Sequence, residues 1–145
     1  MREIGTRATL FASGIILSAI GSAFMIAPQT FLAMSEVFVE QDPGLMSEVT
    51  AQSGLLVISG GFLILSAIKL RFANAGLLFG AFVYGSYGCS RLVSMQLHGV
   101  PSDTLVVVAY FELCVAAVLV VIRSKRPSNA STPFAAFRSN TIQTN

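Results

Sequence analysis

The sequence predicts an all-α fold, an integral membrane four-helix bundle with both termini in the cytoplasm, from three observations. Of its 145 residues, 54% are hydrophobic and only 11% are charged, whereas a soluble domain has about 25% charged residues. Four apolar segments each have about the 20 residues that a helix needs to cross a bilayer. The basic residues at or beyond the ends of these segments fall on one side of the membrane if the segments alternate in direction.

The first apolar segment covers residues 8–27 (ATLFASGIILSAIGSAFMIA) and stops at Pro28. Arg2 and Arg7 precede it, as basic residues precede the apolar core of a secretory signal peptide. The segment is longer than the roughly 7–15 residues typical of such a core. We therefore predict a retained span and keep cleavage as the alternative, since the other spans have the same orientation in either case.

Three further spans follow, and their ends carry helix start and stop signals. Asp42 followed by Pro43 is typical of an N-cap with proline at the first helical position. Gly99 can end the third helix before Pro101 opens the fourth. The few residues around Arg71 predict a tight antiparallel hairpin between the second and third helices. The four predicted spans are residues 8–27, 47–70, 73–97 and 101–122.

Charges between the spans set the predicted topology. Cytoplasmic loops carry an excess of Lys and Arg, so the basic side is assigned to the cytoplasm. Residues 1–123 then form one transmembrane domain, and residues 124–145 form a polar cytoplasmic tail that is predicted to be disordered. The loop after the first span mixes apolar and acidic residues and is predicted to lie at the outer membrane surface. The basic side carries Arg2, Arg7, Lys69, Arg71, Arg123, Lys125, Arg126 and Arg138, and the opposite side carries Glu36, Glu40, Asp42 and Asp103.

Composition argues against several classes of function. The net charge of +2 is small and the basic residues lie at span ends, so no nucleic-acid interface is expected. Cys89 and Cys114 lie inside apolar runs without CxxC spacing, which favours buried free thiols over a disulfide or a metal pair. His98 is the one histidine in the chain, which argues against a haem or metal centre. No cofactor is predicted.

Arg91 is a charged residue within an otherwise apolar predicted span, where a charge is unusual. It lies in the third span within YGSYGCSRLVSMQLHG, residues 84–99. A charged side chain at the centre of a bilayer costs about 2.5–3.5 kcal/mol on insertion scales. Arg91 can lower this cost by extending its guanidinium outward, or by pairing with Glu112 in the fourth span or Glu48 near the start of the second.

The third span carries a polar stripe, because five residues spaced by three and four positions fall on one helix face. Such a stripe is expected to face protein or water rather than lipid, and two polar residues of the second span also share a face. A structural clamp and a ligand or proton site both remain open for the resulting cluster. The stripe is Tyr84, Tyr87, Arg91, Ser94 and His98, and the predicted outer-half cluster and binding residues are Arg91, Glu112, Glu48, Gln52, Tyr87, Ser94 and His98.

Small residues recur at four-residue spacing in the first and third spans, which allows close helix packing in lipid. The serine row of the third span lies about a third of a turn from the polar stripe. Packing within the bundle is the preferred interpretation of this row, and contact with another subunit is the alternative. The rows are Gly14, Ser18 and Ser22, and Ser86, Ser90 and Ser94.

Four features together resemble a known family: Glu48, the SRLVS of residues 90–94, the HGVPS of residues 98–102, and Glu112. Over roughly residues 8–123 the chain is similar to the bacterial four-span membrane family catalogued as domain of unknown function 4345. The sequence departs from that family at His98, where the family has an acid. The resemblance implies the fold, the topology and a location in the bacterial inner (cytoplasmic) membrane, and it implies no activity.

Three functions are consistent with these features, in the following order. The first is a non-enzymatic accessory or interaction subunit, favoured by the small size and the small-residue rows. The second is a protein that binds or transports a small molecule, with Glu112 or Glu48 as its charge partner. The third is a membrane enzyme of the isomerase or quinone-linked type, for which no nucleophile and base can be assigned from spacing. The expected partners are the lipid bilayer and either another membrane protein or a second copy of the chain.

Overall fold

The computed structural model describes residues 2–38 and 42–126, and every regular element within them is helical. A single 3₁₀ turn, Leu70–Phe72, connects the second long helix to the third. The helices are α1 (Arg2–Ile26), α2 (Pro28–Ala33), α3 (Pro43–Ile68), α4 (Ala73–His98) and α5 (Asp103–Ser124).

Three helices of the described part are long and apolar enough to cross a membrane: Glu3–Ile26, Pro43–Ile68 and Asp103–Ser124. The sequence predicts four spans, and α4 accounts for the difference. It is 26 residues long, but Arg91 and its many glycine, serine and tyrosine residues make it less apolar than the other three. The membrane character of the protein therefore rests on α1, α3 and α5.

The long helices pack as two pairs, α1 along α3 and α4 along α5. In the first pair the backbones approach closely, because a Cβ added to Gly60 would lie 2.5 Å from the carbonyl oxygen of Gly14. In the second pair a Cβ added to Gly88 would lie 2.7 Å from the Leu113 side chain. Glycine at such positions allows helices to approach closely in lipid. The close helix packing that the small-residue row of the first span allows is thus present at Gly14 and Ser18.

For the predicted hairpin between the second and third spans, the short connection is confirmed but the close packing of the two helices is not. A one-turn 3₁₀ segment, Leu70–Phe72, joins α3 to α4, but α3 packs mainly along α1 and α4 mainly along α5. We call the interface between the two pairs the seam. The face of α4 that contacts α1 and α3 therefore lies at the seam.

The two ends of the bundle differ in charge. At one end, α1 and α4 begin and α3 and α5 end, and this basic end carries Arg7, Lys69, Arg71 and Arg123. At the other, the acidic end, Ser102 at the start of α5 donates a hydrogen bond from its Oγ to the Ser35 carbonyl oxygen, at 2.9 Å. This bond links the start of α5 to the turn after α2.

The seam is filled near the basic end. Gly76 of α4 lies against Ser66 of α3, so that an added Cβ would be 2.5 Å from the Ser66 Cβ. Gly80, one turn further along, faces the side chains of Leu63 and Leu119 at 3.1 Å from its hypothetical Cβ. Both leucines have no exposed surface. Small residues on α4 therefore let the two pairs meet over this half.

The local start and stop signals hold in the structure. The Asp42 carboxylate accepts a hydrogen bond from the Leu45 backbone N–H at 2.8 Å, with Pro43 at the first helical position, so the predicted N-cap is confirmed. Gly99 ends α4 with a φ of 95°, a left-handed conformation that glycine adopts without strain. The second predicted span corresponds to α3, which begins at Pro43 and not at residue 47, because the Asp42 cap sets the start of the helix.

Two other expectations are wrong for the described residues. Cys89 and Cys114 are free, as predicted, but exposed on the helix surfaces and not buried. The serine row of α4 is exposed as well and does not pack within the bundle. The reason is geometric, since the face of α4 that meets the bundle carries Gly76, Gly80 and Tyr84 instead. The predictions for Glu40, for Arg138 and for the tail beyond residue 126 lie outside the described residues.

Candidate functional site

The seam opens into a cavity of about 560 Å³ in the half toward the acidic end. On α4 the positions that follow Gly80 on the same face are Tyr84, Tyr87 and Arg91, and all three line the cavity. The large side chains at these positions keep the two helix pairs apart, whereas Gly76 and Gly80 let the pairs meet near the basic end. The part of the predicted polar stripe that runs from Tyr84 to Arg91 therefore faces the protein interior.

An ion pair forms part of the cavity wall. Nε of Arg91 donates a hydrogen bond to Oε2 of Glu112 at 3.1 Å, which joins α4 to α5. The Glu112 side chain is 13% exposed and that of Arg91 is 32% exposed. The predicted pairing of Arg91 with Glu112 is therefore present in the structure. A guanidinium has five N–H donors in all, so four more on the two Nη atoms can serve a further partner.

The rest of the cavity is largely apolar. Gln52 and Ser53 of α3 add polar groups beside the ion pair, although the Ser53 hydroxyl donates a hydrogen bond to the Val49 carbonyl oxygen at 2.6 Å. The apolar wall comes from α1, α2, α3 and α5. It includes Leu17, Ile20 and Phe24 of α1, Leu32 of α2, Leu56 of α3, and Val107, Val108 and Phe111 of α5.

Arg91 also borders a second, smaller groove of about 290 Å³ at the acidic end. Ser94 and His98 line this groove, not the cavity, and both are exposed. The stripe is thus divided by Arg91, with Tyr84 and Tyr87 on the cavity side. Arg91 lies where the cavity and the groove adjoin.

Glu48 is the predicted cluster residue that the structure places elsewhere. It is exposed near the start of α3 and does not line the cavity, whereas Gln52, one turn further along, does. The alternative pairing of Arg91 with Glu48 therefore has no support in the geometry, and Glu112 is the carboxylate at this site.

The family model described as domain of unknown function (DUF4345) matches residues 5–123, which include nearly all of α1 to α5. The chain belongs to this family. No curated protein and no solved structure gives a significant match. The resemblance noted from Glu48, SRLVS, HGVPS and Glu112 is thereby confirmed for the family.

In this DUF4345 chain a tyrosine of the cavity wall links the two helix pairs. The Tyr84 hydroxyl donates a hydrogen bond to the Ser13 carbonyl oxygen of α1 at 2.8 Å, and the tyrosine is 2% exposed. This bond crosses the seam between the two pairs, so Tyr84 belongs both to the core and to the cavity wall. The spacing in the sequence places Tyr84 on the stripe but does not indicate its partner, because a backbone carbonyl leaves no signal in the sequence.

The apolar half of the site also escaped sequence reasoning. A signal exists in Leu17, Ile20 and Phe24, whose three- and four-residue spacing marks one face of α1. In a membrane span, however, nearly every face is apolar, so this spacing does not distinguish a cavity wall from a surface in contact with lipid. The described residues contain no group of three or more His, Cys, Asp or Glu placed to hold a metal.

Proposed function

We propose that this DUF4345 protein binds a small, largely apolar molecule in the seam cavity. The observation that carries the proposal is a cavity of about 560 Å³ with the Arg91–Glu112 ion pair in its wall. Small-molecule sites have volumes of roughly 300–1,000 Å³ and combine apolar walls with a few polar groups. A pair that served only as a clamp would need no empty space beside it.

The chemistry of the wall indicates the class of ligand. Arg91 supplies N–H donors and Glu112 supplies carboxylate acceptors, while their opposite charges cancel. A neutral polar group that both accepts and donates hydrogen bonds, attached to a hydrocarbon body, matches this wall. An unpaired ionic group would have to leave water without a counter-charge at the site, which is costly in an apolar environment.

The same proposal includes four spans with both termini in the cytoplasm of a bacterial inner membrane. Support for α4 as a span comes from its 26 residues, which at about 1.5 Å each exceed the roughly 30 Å hydrocarbon core. Three residues of its polar stripe, Tyr84, Tyr87 and Arg91, line the seam cavity, which lowers the cost of placing the helix in lipid. The gathering of basic residues at one end supports the orientation, and the resemblance to a bacterial family supports the location.

The test is retention of apolar molecules by protein purified in nanodiscs, measured by mass spectrometry of solvent extracts. Val108→Phe places a larger side chain in the cavity wall, and we expect it to lower the retained compound at least tenfold, since a filled pocket excludes its ligand. Val118→Phe is the matched control, because Val118 is on the same helix, 48% exposed and not part of the cavity. Equal retention by both variants would refute the proposal.

A second candidate function is that of an accessory subunit, favoured by one observation. Ser86, Ser90 and Ser94 form an exposed row on α4, and small residues of this kind let another transmembrane helix approach closely. An interaction of this row with a partner helix or a second copy is compatible with ligand binding in the seam. A membrane enzyme ranks third, because among the described residues the one side-chain pair hydrogen-bonded at the cavity is Arg91–Glu112.

A further inference from the structure

A second large cleft, of about 680 Å³, opens at the basic end, at the opposite end of the bundle from the cavity. It forms where the start of α1, the 3₁₀ turn Leu70–Phe72 and the end of α5 meet. Leu70 and Ile122 contribute apolar surface, and Thr9 and Asn74 contribute a hydroxyl and an amide. The cleft therefore combines polar and apolar walls at the ends of apolar helices.

Positive charge predominates in the cleft. Arg71, Lys125 and Arg126 line it, with Glu3 as the acidic residue among the lining side chains. The Arg71 guanidinium lies over the Phe72 ring at 4.5 Å from the ring centroid, a cation–π contact that restricts the side chain. Arg is suited to phosphate because its planar fork donates two parallel hydrogen bonds to phosphate oxygens.

From this arrangement we infer that the basic-end cleft binds the phosphate of an anionic phospholipid headgroup. The cations can contact the phosphate, while Leu70 and Ile122 can contact the first carbons of an acyl chain. Basic pockets between transmembrane helices are known sites for anionic headgroups. The site does not depend on the seam cavity or on its proposed ligand.

A general excess of basic residues at this end does not account for the cleft. Arg123 and Lys69 belong to the same end and are exposed, but neither lines the cleft. Arg123 lies two residues from Lys125, so the two positions experience a similar overall field. The difference between substitutions at these positions separates a defined site from diffuse attraction.

The experiment is titration of the full chain in detergent with phosphatidylglycerol, with phosphatidylcholine in parallel, followed by native mass spectrometry. Each basic residue contributes about fivefold to binding of anionic lipid, so we expect Lys125→Gln/Arg126→Gln to weaken phosphatidylglycerol binding roughly 25-fold. Arg123 does not line the cleft and makes no direct contact with a phosphate bound there, so at about 0.15 M salt, where exposed charges are partly screened, Arg123→Gln should weaken it less than about twofold. Circular dichroism checks that all variants keep their helices.

Three results would overturn the inference. The first is equal affinity for phosphatidylglycerol and phosphatidylcholine. The second is equal loss of binding in the double variant and in Arg123→Gln, which would indicate diffuse attraction. The third is displacement of the lipid by millimolar inorganic phosphate, which would assign the cleft to a soluble phosphate compound.

Discussion

The two halves of the seam are built differently on one face of one helix. Near the basic end α4 presents Gly76 and Gly80, and the pairs meet around the fully buried Leu63 and Leu119. Toward the acidic end the same face presents tyrosine and arginine, and a cavity of about 560 Å³ remains. The filled half has the composition of a structural core. The hollow half has the composition of a binding site, so the proposed ligand site lies apart from the most tightly packed part of the bundle.

The largest expected difference between the halves is in the free energy of unfolding that is lost when a leucine of α3 is replaced by alanine. Leu63 has no exposed surface, and Leu56, seven residues away, borders the cavity. We expect Leu63→Ala to lower the free energy of unfolding by about 4 kcal/mol and Leu56→Ala by about 2 kcal/mol, because Leu56 has fewer neighbours to lose. Denaturant titration in micelles measures both. Equal costs would show that the acidic-end half is packed as well as the other.

A smaller difference is expected for glycine. A Cβ at position 76 would lie 2.5 Å from the Ser66 Cβ, whereas at position 54 the nearest atom would be the Met25 methyl at 3.8 Å. Gly76→Ala should therefore lower the free energy of unfolding by about 2 kcal/mol through overpacking. Gly54→Ala should leave it within about 0.5 kcal/mol. If Gly76→Ala were as neutral as its control, the seam would not be tightly closed at the basic end.

Much of the local structure was predictable, because its signals lie within a few residues of each other. Asp42 and Pro43 indicate a cap that forms within one turn, and Gly99 indicates a helix end. The Arg91–Glu112 pair was one of three predicted solutions, since a charge within an apolar segment favours a partner and consecutive antiparallel helices supply one. Outward extension of Arg91 and pairing with Glu48 were the other two.

The pairing of the helices was not predictable in the same way. A short connection suggested that α3 would pack mainly on α4, but Gly14 and Gly60 bring α1 and α3 closer together. Which faces meet depends on the sum of many small packing contacts along whole helices. A row such as Ser86, Ser90 and Ser94 indicates that close approach is possible without indicating which helix approaches.

The cavity itself was unpredictable for a related reason. An empty volume is a property of how five helices fit together, and Leu56 or Val108 carries no mark that distinguishes a cavity wall from a core. The polar residues of the site were found because they are out of place in a membrane span. Its apolar residues were not identified, because apolar side chains are expected on every face of such a span.

The central claim is that the ion pair in the hollow half recognises a ligand and is more than a clamp. The decisive measurement compares Arg91→Leu, Glu112→Leu and the double variant in stability and in retention of the apolar compound. Removing one member of a fully buried pair costs about 3–5 kcal/mol, whereas replacing both is close to neutral. Because the Arg91–Glu112 pair is only partly buried, we expect each single change to cost about 2–3 kcal/mol. We expect Arg91→Leu to cost more than Glu112→Leu, because the remaining Arg91 is 32% exposed and can extend its guanidinium outward.

For the double variant we predict a free energy of unfolding within about 1 kcal/mol of the unmodified protein, together with at least a tenfold loss of the retained compound. Recovered stability with unchanged retention would contradict the claim and leave the Arg91–Glu112 pair as a structural clamp.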